Sequence, residues 1–374
     1  MSAYFDHNAT SPARPEVVRA VAELLSEGPG NPSSMHARGR RARQLIEEAR
    51  ERLAVLFGAE ARQVFFTSGG TESNNLAIRG AISRNPELQL ITSPIEHASV
   101  LAAADLLERQ GCEVIRLPVD SSGQPDFSLL ARLSASRPSL VSLGWANGES
   151  GQVLDLEGLL ASVQEGTLLH LDAAQAAGRI AVGLYEGISM VSCSCHKFGG
   201  PAGCGVLVLG RDAIDPVLVG GPQERGRRPG TENIAGIVGS GVAAKTALEC
   251  IDREAARLGK LRERLWRGLS RALPNLRRVS PIGGLPNTLT VALQAPASDV
   301  MVAGLDLEGY CVSTGSACAT ASPEPSHVMK ALGLESPYLS GVVRISMGWS
   351  TAESEVDGLT EAFVRVATRA MEAA

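Results

Sequence analysis

Val191-Ser192-Cys193-Ser194-Cys195-His196-Lys197-Phe198-Gly199-Gly200-Pro201 is the stretch from which the rest of the chain is read. It closes a strand-like segment that begins at Ile188, and it ends in a Gly/Pro turn that no strand continues through. A lysine at that boundary is handed by a rigid sheet to a cleft, the place where connecting segments carry function. Most lysines are simply solvated. A desolvated lysine is a nucleophile toward an aldehyde carbon, so Lys197 is either a surface charge or an amine suited to a Schiff base.

Outward from this strand, the chain between Gln63 and Leu209 alternates short apolar runs with helical stretches. The runs are Val64–Thr67, Leu88–Thr92, Glu113–Leu117, Leu140–Leu143, Leu168–Leu171, Met190–Cys193 and Val206–Leu209. That alternation predicts an α/β fold with a mostly parallel sheet of seven strands and helices on both faces. Ligands of such sheets bind at the carboxyl ends of the strands. Helices are predicted over Glu16–Leu25 and Arg38–Phe57, separated by the Gly/Pro loop Glu27–Ser34. A long amphipathic helix, Ile234 to Leu273, bridges two domains. Beyond it lie a strand Asn287–Leu293, a helix from Ser298, a strand near Cys311, a loop Ser313–Ser326, a strand Val342–Met347 and a terminal helix. Ser350-Thr351-Ala352-Glu353 reads as the capping box of that last helix. The expected division is a large domain over residues 13–255 and a smaller α+β domain over 1–12 and 256–374.

Composition narrows the functional classes. With 374 residues the chain exceeds one ordinary core, and its net charge of -5 comes without a Lys/Arg-rich block, which argues against nucleic acid as partner. The first residues lack the basic start and apolar run of a targeting segment, and no stretch approaches 18 unbroken apolar residues, so no membrane role and a cytoplasmic location are expected. Seven cysteines, an odd number without regular spacing, suit reduced thiols better than disulfides.

Three further strand ends carry chemistry. Ser68-Gly69-Gly70-Thr71-Glu72 follows a strand and opens a helix, a site for a phosphate or an ordinary tight turn. Asp172 ends the apolar run Leu168–Leu171, where a carboxylate needs a cationic partner; a protonated pyridine nitrogen, a core ion pair or a helix N-cap all satisfy it. His97 follows the strand Leu88–Thr92 and is either structural or placed to stack on an aromatic ring and move protons. Together with Lys197, the four fall in chain order on successive strand ends, the pattern of a pyridoxal phosphate (PLP) site.

The chain resembles the cysteine desulfurases, PLP enzymes with the aspartate-aminotransferase-like (class V) fold, over nearly its whole length. The resemblance rests on Phe5–Pro12, Gly30–Ser33, Phe66–Asn74, Glu96-His97, His170–Gln175, Ser194–Lys197, Glu224–Thr231, Ser313–Cys318 and Arg344–Gly348. It implies that Lys197 binds PLP as a Schiff base, His97 stacks on the ring, Asp172 pairs with its nitrogen, and Gln175 and Asn147 reach its phenolic oxygen. Gly70, Thr71, Ser194 and His196 would hold the phosphate, with Thr231 contributed across a homodimer. Asn31 and Arg344 would bind the substrate L-cysteine, whose carboxylate suits a planar guanidinium fork. Cys318, in the small-residue run Gly315–Pro323, would take the sulfur as a persulfide, since the thiolate is the nucleophile. An iron-sulfur scaffold or a thiolation protein would then accept it.

Three features depart from that pattern. Gly148 stands where a second asparagine is expected after Asn147. Cys193, Cys195 and Cys204 are additional, and Cys193-Ser194-Cys195 looks like half a metal site without the other half, so small core residues are the favoured reading and no metal is expected. Cys112, Cys250 and Cys311 read as small buried cysteines. The chain also stops soon after its last helix, where relatives extend to dock a scaffold, so a different acceptor is expected. Other readings remain: a selenocysteine lyase or another class V transaminase or lyase, and, outside enzymes, a sulfur- or metal-binding protein.

Overall fold

The computed structural model describes residues 2–211, 213–314 and 325–372. Its elements, in chain order, begin with β1 (Ala3–Tyr4), α1 (Pro15–Glu27), α2 (Ala37–Leu56), β2 (Val64–Thr67), α3 (Gly70–Arg84), β3 (Gln89–Thr92), α4 (Ala98–Arg109) and β4 (Val114–Arg116). They continue with α5 (Phe127–Ser136), β5 (Ser139–Gly144), α6 (Leu156–Ser162), β6 (Leu168–Asp172), β7 (Met190–Ser194), β8 (Gly205–Leu209) and α7 (Ile234–Ala272). The last part holds β9 (Arg277–Arg278), β10 (Thr288–Leu293), α8 (Ser298–Leu307), β11 (Tyr310–Cys311), α9 (His327–Ala331), β12 (Gly341–Ser346) and α10 (Glu353–Glu372).

The large sheet has seven strands in the order β2-β8-β7-β6-β5-β3-β4. Neighbours from β7 to β4 run parallel, as the alternation of strands and helices predicts, while β8 is antiparallel to both β7 and β2. The reason is the connection: residues 195–204 are too few for a crossover helix, so the chain turns back beside β7. That reversal carries Lys197, in a single 3-10 turn closed by Gly199 at φ 90°.

Every residue of β2, β3, β7 and β8 is buried, because helices cover both faces. Ile46, Leu53, Val191, Val206 and Ala244 belong to one core under α2 and α7; Leu76, Ile78, Val100, Leu140 and Leu207 form the other under α3 and α4. A separate core gathers Phe5, the distal half of α7, and β10, β12, α8 and α10 around Phe363 and Ile345. The N-terminus belongs here too, since β1 pairs with β11 and Asp6 bridges to Ser346.

Two local expectations need correction. The terminal helix is capped by Glu355, which accepts from Ala352 N at 2.7 Å, and not by the Ser350–Glu353 box; Thr351 is engaged instead with Gly348 N at 3.0 Å. The buried cysteines are Cys193, Cys195 and Cys204, whereas Cys112, Cys250 and Cys311 are half-buried.

Candidate active site

The site is assembled at the carboxyl ends of β2, β3, β5, β6 and β7, where the strand ends and the segments that follow them deliver its polar groups. Asp172, the last residue of β6, is 8% exposed, and both of its oxygens are engaged: Asn74 Nδ2 donates to Oδ2 at 2.7 Å and Ala174 N to Oδ1 at 2.9 Å. Both donors are neutral. Among the described residues no Lys, Arg or His forms an ion pair with Asp172, so a buried negative charge is left without the cation it needs.

A second buried carboxyl sits close by and behaves differently. Glu96 is buried and is pushed up to about 8, chiefly by loss of water and further by the charge of Asp172, against the hydrogen bond from Ser93 Oγ at 2.6 Å. At neutral pH it is mostly protonated. His170, two residues before Asp172, is held between Ser142 Oγ and Ser192 Oγ, each at 2.8 Å, and burial pushes it down to about 4. It is therefore neutral and adds no cation.

Lys197 lies at the β7 end. Its Nζ donates to the carbonyl oxygens of Asn8 at 2.6 Å and Ala9 at 2.8 Å, so the N-terminal segment forms one wall of the site. The same Asn8 carbonyl accepts from Gln175 Nε2 at 3.1 Å. Arg179, buried behind it, donates to the side-chain oxygen of Gln175 and to His7 O, so the Gln175 amide is held with its nitrogen toward Lys197's partner. Burial, with the Arg344 charge, pushes Arg179 down to about 9, which still leaves it cationic at neutral pH.

Gly148 closes the floor. Its carbonyl accepts from Asn8 Nδ2 at 2.9 Å and from Arg344 Nη1 at 3.2 Å, and a Cβ built on it would stand 2.6 Å from Gln175 Nε2. The amide of Gln175 thus occupies the space a side chain at 148 would take. Asn147 is committed to its own turn, its Oδ1 accepting from Glu149 N and Ser150 N and its Nδ2 donating to Ile95 O. Arg344, on β12, is buried and pairs with Asp6 at 2.7 Å. Its backbone exchanges two hydrogen bonds with Ser313, at the root of the segment that leads to Cys318. Cys318 itself lies outside the described residues.

The N-terminus of α3 could hold an anion. The first turn of α3 exposes Thr71, and Gly70 faces Ser194: a Cβ on Gly70 would be 3.4 Å from Ser194 Cβ. A helix of this length presents unsatisfied N–H groups and the positive end of its dipole there. His196 is bound to Thr10 Oγ1 at 2.9 Å and pushed down to about 4, first by burial and then by the Lys197 and Arg179 charges. His97 is the N-cap of α4 and is exposed, with Nδ1 accepting from Ser99 N at 3.1 Å. Asn31 and Thr231 are exposed, and among the described residues neither side chain touches the others of this set.

These groups fit PLP. A buried carboxylate with no cation partner among the described residues matches a protonated pyridine nitrogen, an exposed imidazole can cover a ring, and a helix N-terminus with Ser194 matches a phosphate. The comparisons with known proteins agree. Residues 3–359 match the model of the class-V aminotransferase family.

The chain belongs to the class-V aminotransferases, among the cysteine desulfurases.

It is 43% identical over 365 residues to the cysteine desulfurase of Cereibacter sphaeroides, covering 96% of this chain and 94% of the relative. It is 38% identical over 360 residues to the cysteine desulfurase NifS of Azotobacter vinelandii, covering 95% and 90%. A solved NifS-like protein superposes with a TM-score of 0.93 at 33% identity, over 99% of this chain and all of that one (100%). SspA in complex with cysteine superposes at 0.81 and 31% identity, over 93% of this chain and 99% of that one. Family members are PLP enzymes that desulfurate cysteine, so the expected cofactor, fold and reaction hold for this desulfurase.

Asp6, Asn8, Asn74, Ser99 and Arg179 were not singled out by sequence reasoning. Asp6, Asn8 and Asn74 did stand in stretches that carried the resemblance, but nothing short of the fold shows which groups they reach, 98 residues away for Asn74 and more than 130 for Asp6 and Asn8.

Proposed function

We propose that this cysteine desulfurase holds PLP on Lys197, Asp172, His97, Gln175, Ser194, His196 and the Gly70-Thr71 turn, binds the L-cysteine carboxylate at Arg344, and takes the sulfur onto Cys318. The observation that carries the reading is Asp172, buried, doubly hydrogen-bonded and lacking a cation among the described residues. Bound there, PLP supplies an electron sink for the substrate α-carbon. Everything else is done by the chain. Arg344 fixes the carboxylate with a fork that Asp6 orients. Lys197, resting on two backbone carbonyls, is poised to move the α-proton. The Cys318 thiolate attacks the substrate sulfur, the Cβ–S bond breaks, and alanine leaves with a proton at Cβ while the enzyme keeps an S–S bond.

The protein works as a homodimer in the cytoplasm. Support comes from Thr231, which is exposed and apart from the site of its own chain and so suits delivery to a partner subunit. An odd count of cysteines suits a reducing compartment. The acceptor is a protein of iron-sulfur assembly or of thiolation, a class supported by relatives named NifS and IscS. Incubation with L-cysteine and a reductant tests the reaction: alanine and sulfide are expected in equal amounts. Sulfide without alanine would refute it.

A further inference from the structure

We propose that Asn74 and Ser99 are positioning residues that join Asp172 to His97 in one hydrogen-bonded relay, so that the two groups flanking the cofactor ring are set together. The inference rests on the reading that His97 covers the PLP ring and Asp172 pairs with its nitrogen. Asn74 is on the second turn of α3 and 1% exposed; Ser99 is in the first turn of α4 and 7% exposed. Asn74 Nδ2 donates one hydrogen to Asp172 Oδ2 at 2.7 Å and the other to Ser99 Oγ at 2.9 Å. Ser99 Oγ lies 2.7 Å from His97 Nδ1, and Ser99 N donates to the same nitrogen at 3.1 Å.

The directions of these bonds follow from the donors. The Asn74 amide nitrogen can only donate, so the Ser99 hydroxyl, which accepts from it, has its proton left for His97 Nδ1. Nδ1 then accepts twice and carries no hydrogen, and the ring proton resides on Nε2. The orientation of the Asn74 amide is equally fixed. Turning it over would set its oxygen against the Asp172 carboxylate at 2.7 Å; as it stands, Asn74 Oδ1 is buried with no partner among the described residues. A buried acceptor left unsatisfied has a cost, and two donors aimed at Asp172 and Ser99 are what that cost sustains. A residue needed only for packing would have no such bias.

The relay predicts coupling. Asn74→Leu keeps the branched outline of the side chain and removes both donors; Ser99→Ala removes the hydroxyl, and Ser99→Thr keeps it. Equilibrium binding of PLP and the visible absorbance of the holoenzyme are the readouts. Asn74→Leu and Ser99→Ala are each expected to weaken PLP binding about tenfold, the loss of one hydrogen bond to a charged or buried group. The double variant should be little worse than either single one, and Ser99→Thr should restore binding. Additive losses, or PLP affinity in Ser99→Ala equal to that of the parent, overturn the relay; the Ser99 pair decides alone should Asn74→Leu fail to fold. Asp172→Asn and His97→Ala in the same assay separate the two claims. If neither of these affects PLP, the cofactor placement is wrong; if both do and the Ser99 variants do not, only the relay is.

Discussion

Adding a single methyl group at Gly148 is the sharpest perturbation the site offers. The Cβ of Gly148→Ala would lie 2.6 Å from Gln175 Nε2, 2.9 Å from its Cδ and 3.1 Å from its Cγ, so Gln175 must move. It has little room to do so, because Arg179 grips its side-chain oxygen and its nitrogen donates to Asn8 O at 3.1 Å. Displacing the amide forfeits one neutral hydrogen bond, about 1 kcal/mol. Overpacking a filled space adds about 1 kcal/mol at the low end of its range. A total of about 2 kcal/mol falls on Gln175, proposed as a cofactor-holding residue, and on Asn8, whose carbonyl also holds Lys197. PLP affinity is therefore expected to drop at least tenfold, since about 1.4 kcal/mol is one decade. The assay is a PLP titration followed by the visible band, with its wavelength recorded at each point. Gly148→Asn, bulkier still, should lose as much or more. An alanine variant with parental affinity and an unmoved band would refute the argument that Gly148 and Gln175 share one space.

Other perturbations follow from the same geometry. Asp6→Asn removes the charge that orients Arg344, and the KM for cysteine is expected to rise about five- to tenfold with kcat within about twofold, as loss of ground-state orientation of a charge pair requires; an unchanged KM would contradict it. Glu224 binds Arg50 through two contacts of 2.8 Å, both groups buried, and Glu224→Gln should destabilise the fold by about 3–5 kcal/mol in a denaturant titration. Glu96 sets a pH dependence. Its folded-state value near 8 exceeds the ordinary carboxyl value of 4.5, so between those values the native state binds more protons than the unfolded one and stability falls as pH rises. Glu96→Gln should flatten that decline between pH 5 and about 8 in thermal melts; a variant with the parental slope would show that Glu96 does not titrate there.

Much of this arrangement is legible in the sequence for a physical reason. Strand ends are marked locally, by apolar runs that stop at Asp172, Ser194 or Thr67, and in a parallel sheet those ends converge. What periodicity does not reveal is pairing over distance. The reversal of β8 depends on the length of one connection, and the terminal cap on which of two glutamates finds a backbone donor first. Asn8 reads as one more polar residue near the start, yet its side chain bonds Gly148 and Thr288, 140 and 280 residues away. Arg179 is just as opaque: an arginine in a run of Ala and Gly looks solvated, and only the fold shows it buried behind Gln175. Gly148 gains its meaning from Gln175, which no local pattern connects to it.

The most direct test of the account is where the sulfur goes. Holoenzyme treated with one equivalent of L-cysteine without reductant, then digested and weighed by mass spectrometry, should show the peptide containing Cys318 heavier by one sulfur atom, with an equal amount of alanine released and no such change in Cys318→Ser. Alanine release that leaves the Cys318 peptide unmodified, or a Cys318→Ser enzyme that still forms a persulfide at the parental rate, would contradict it.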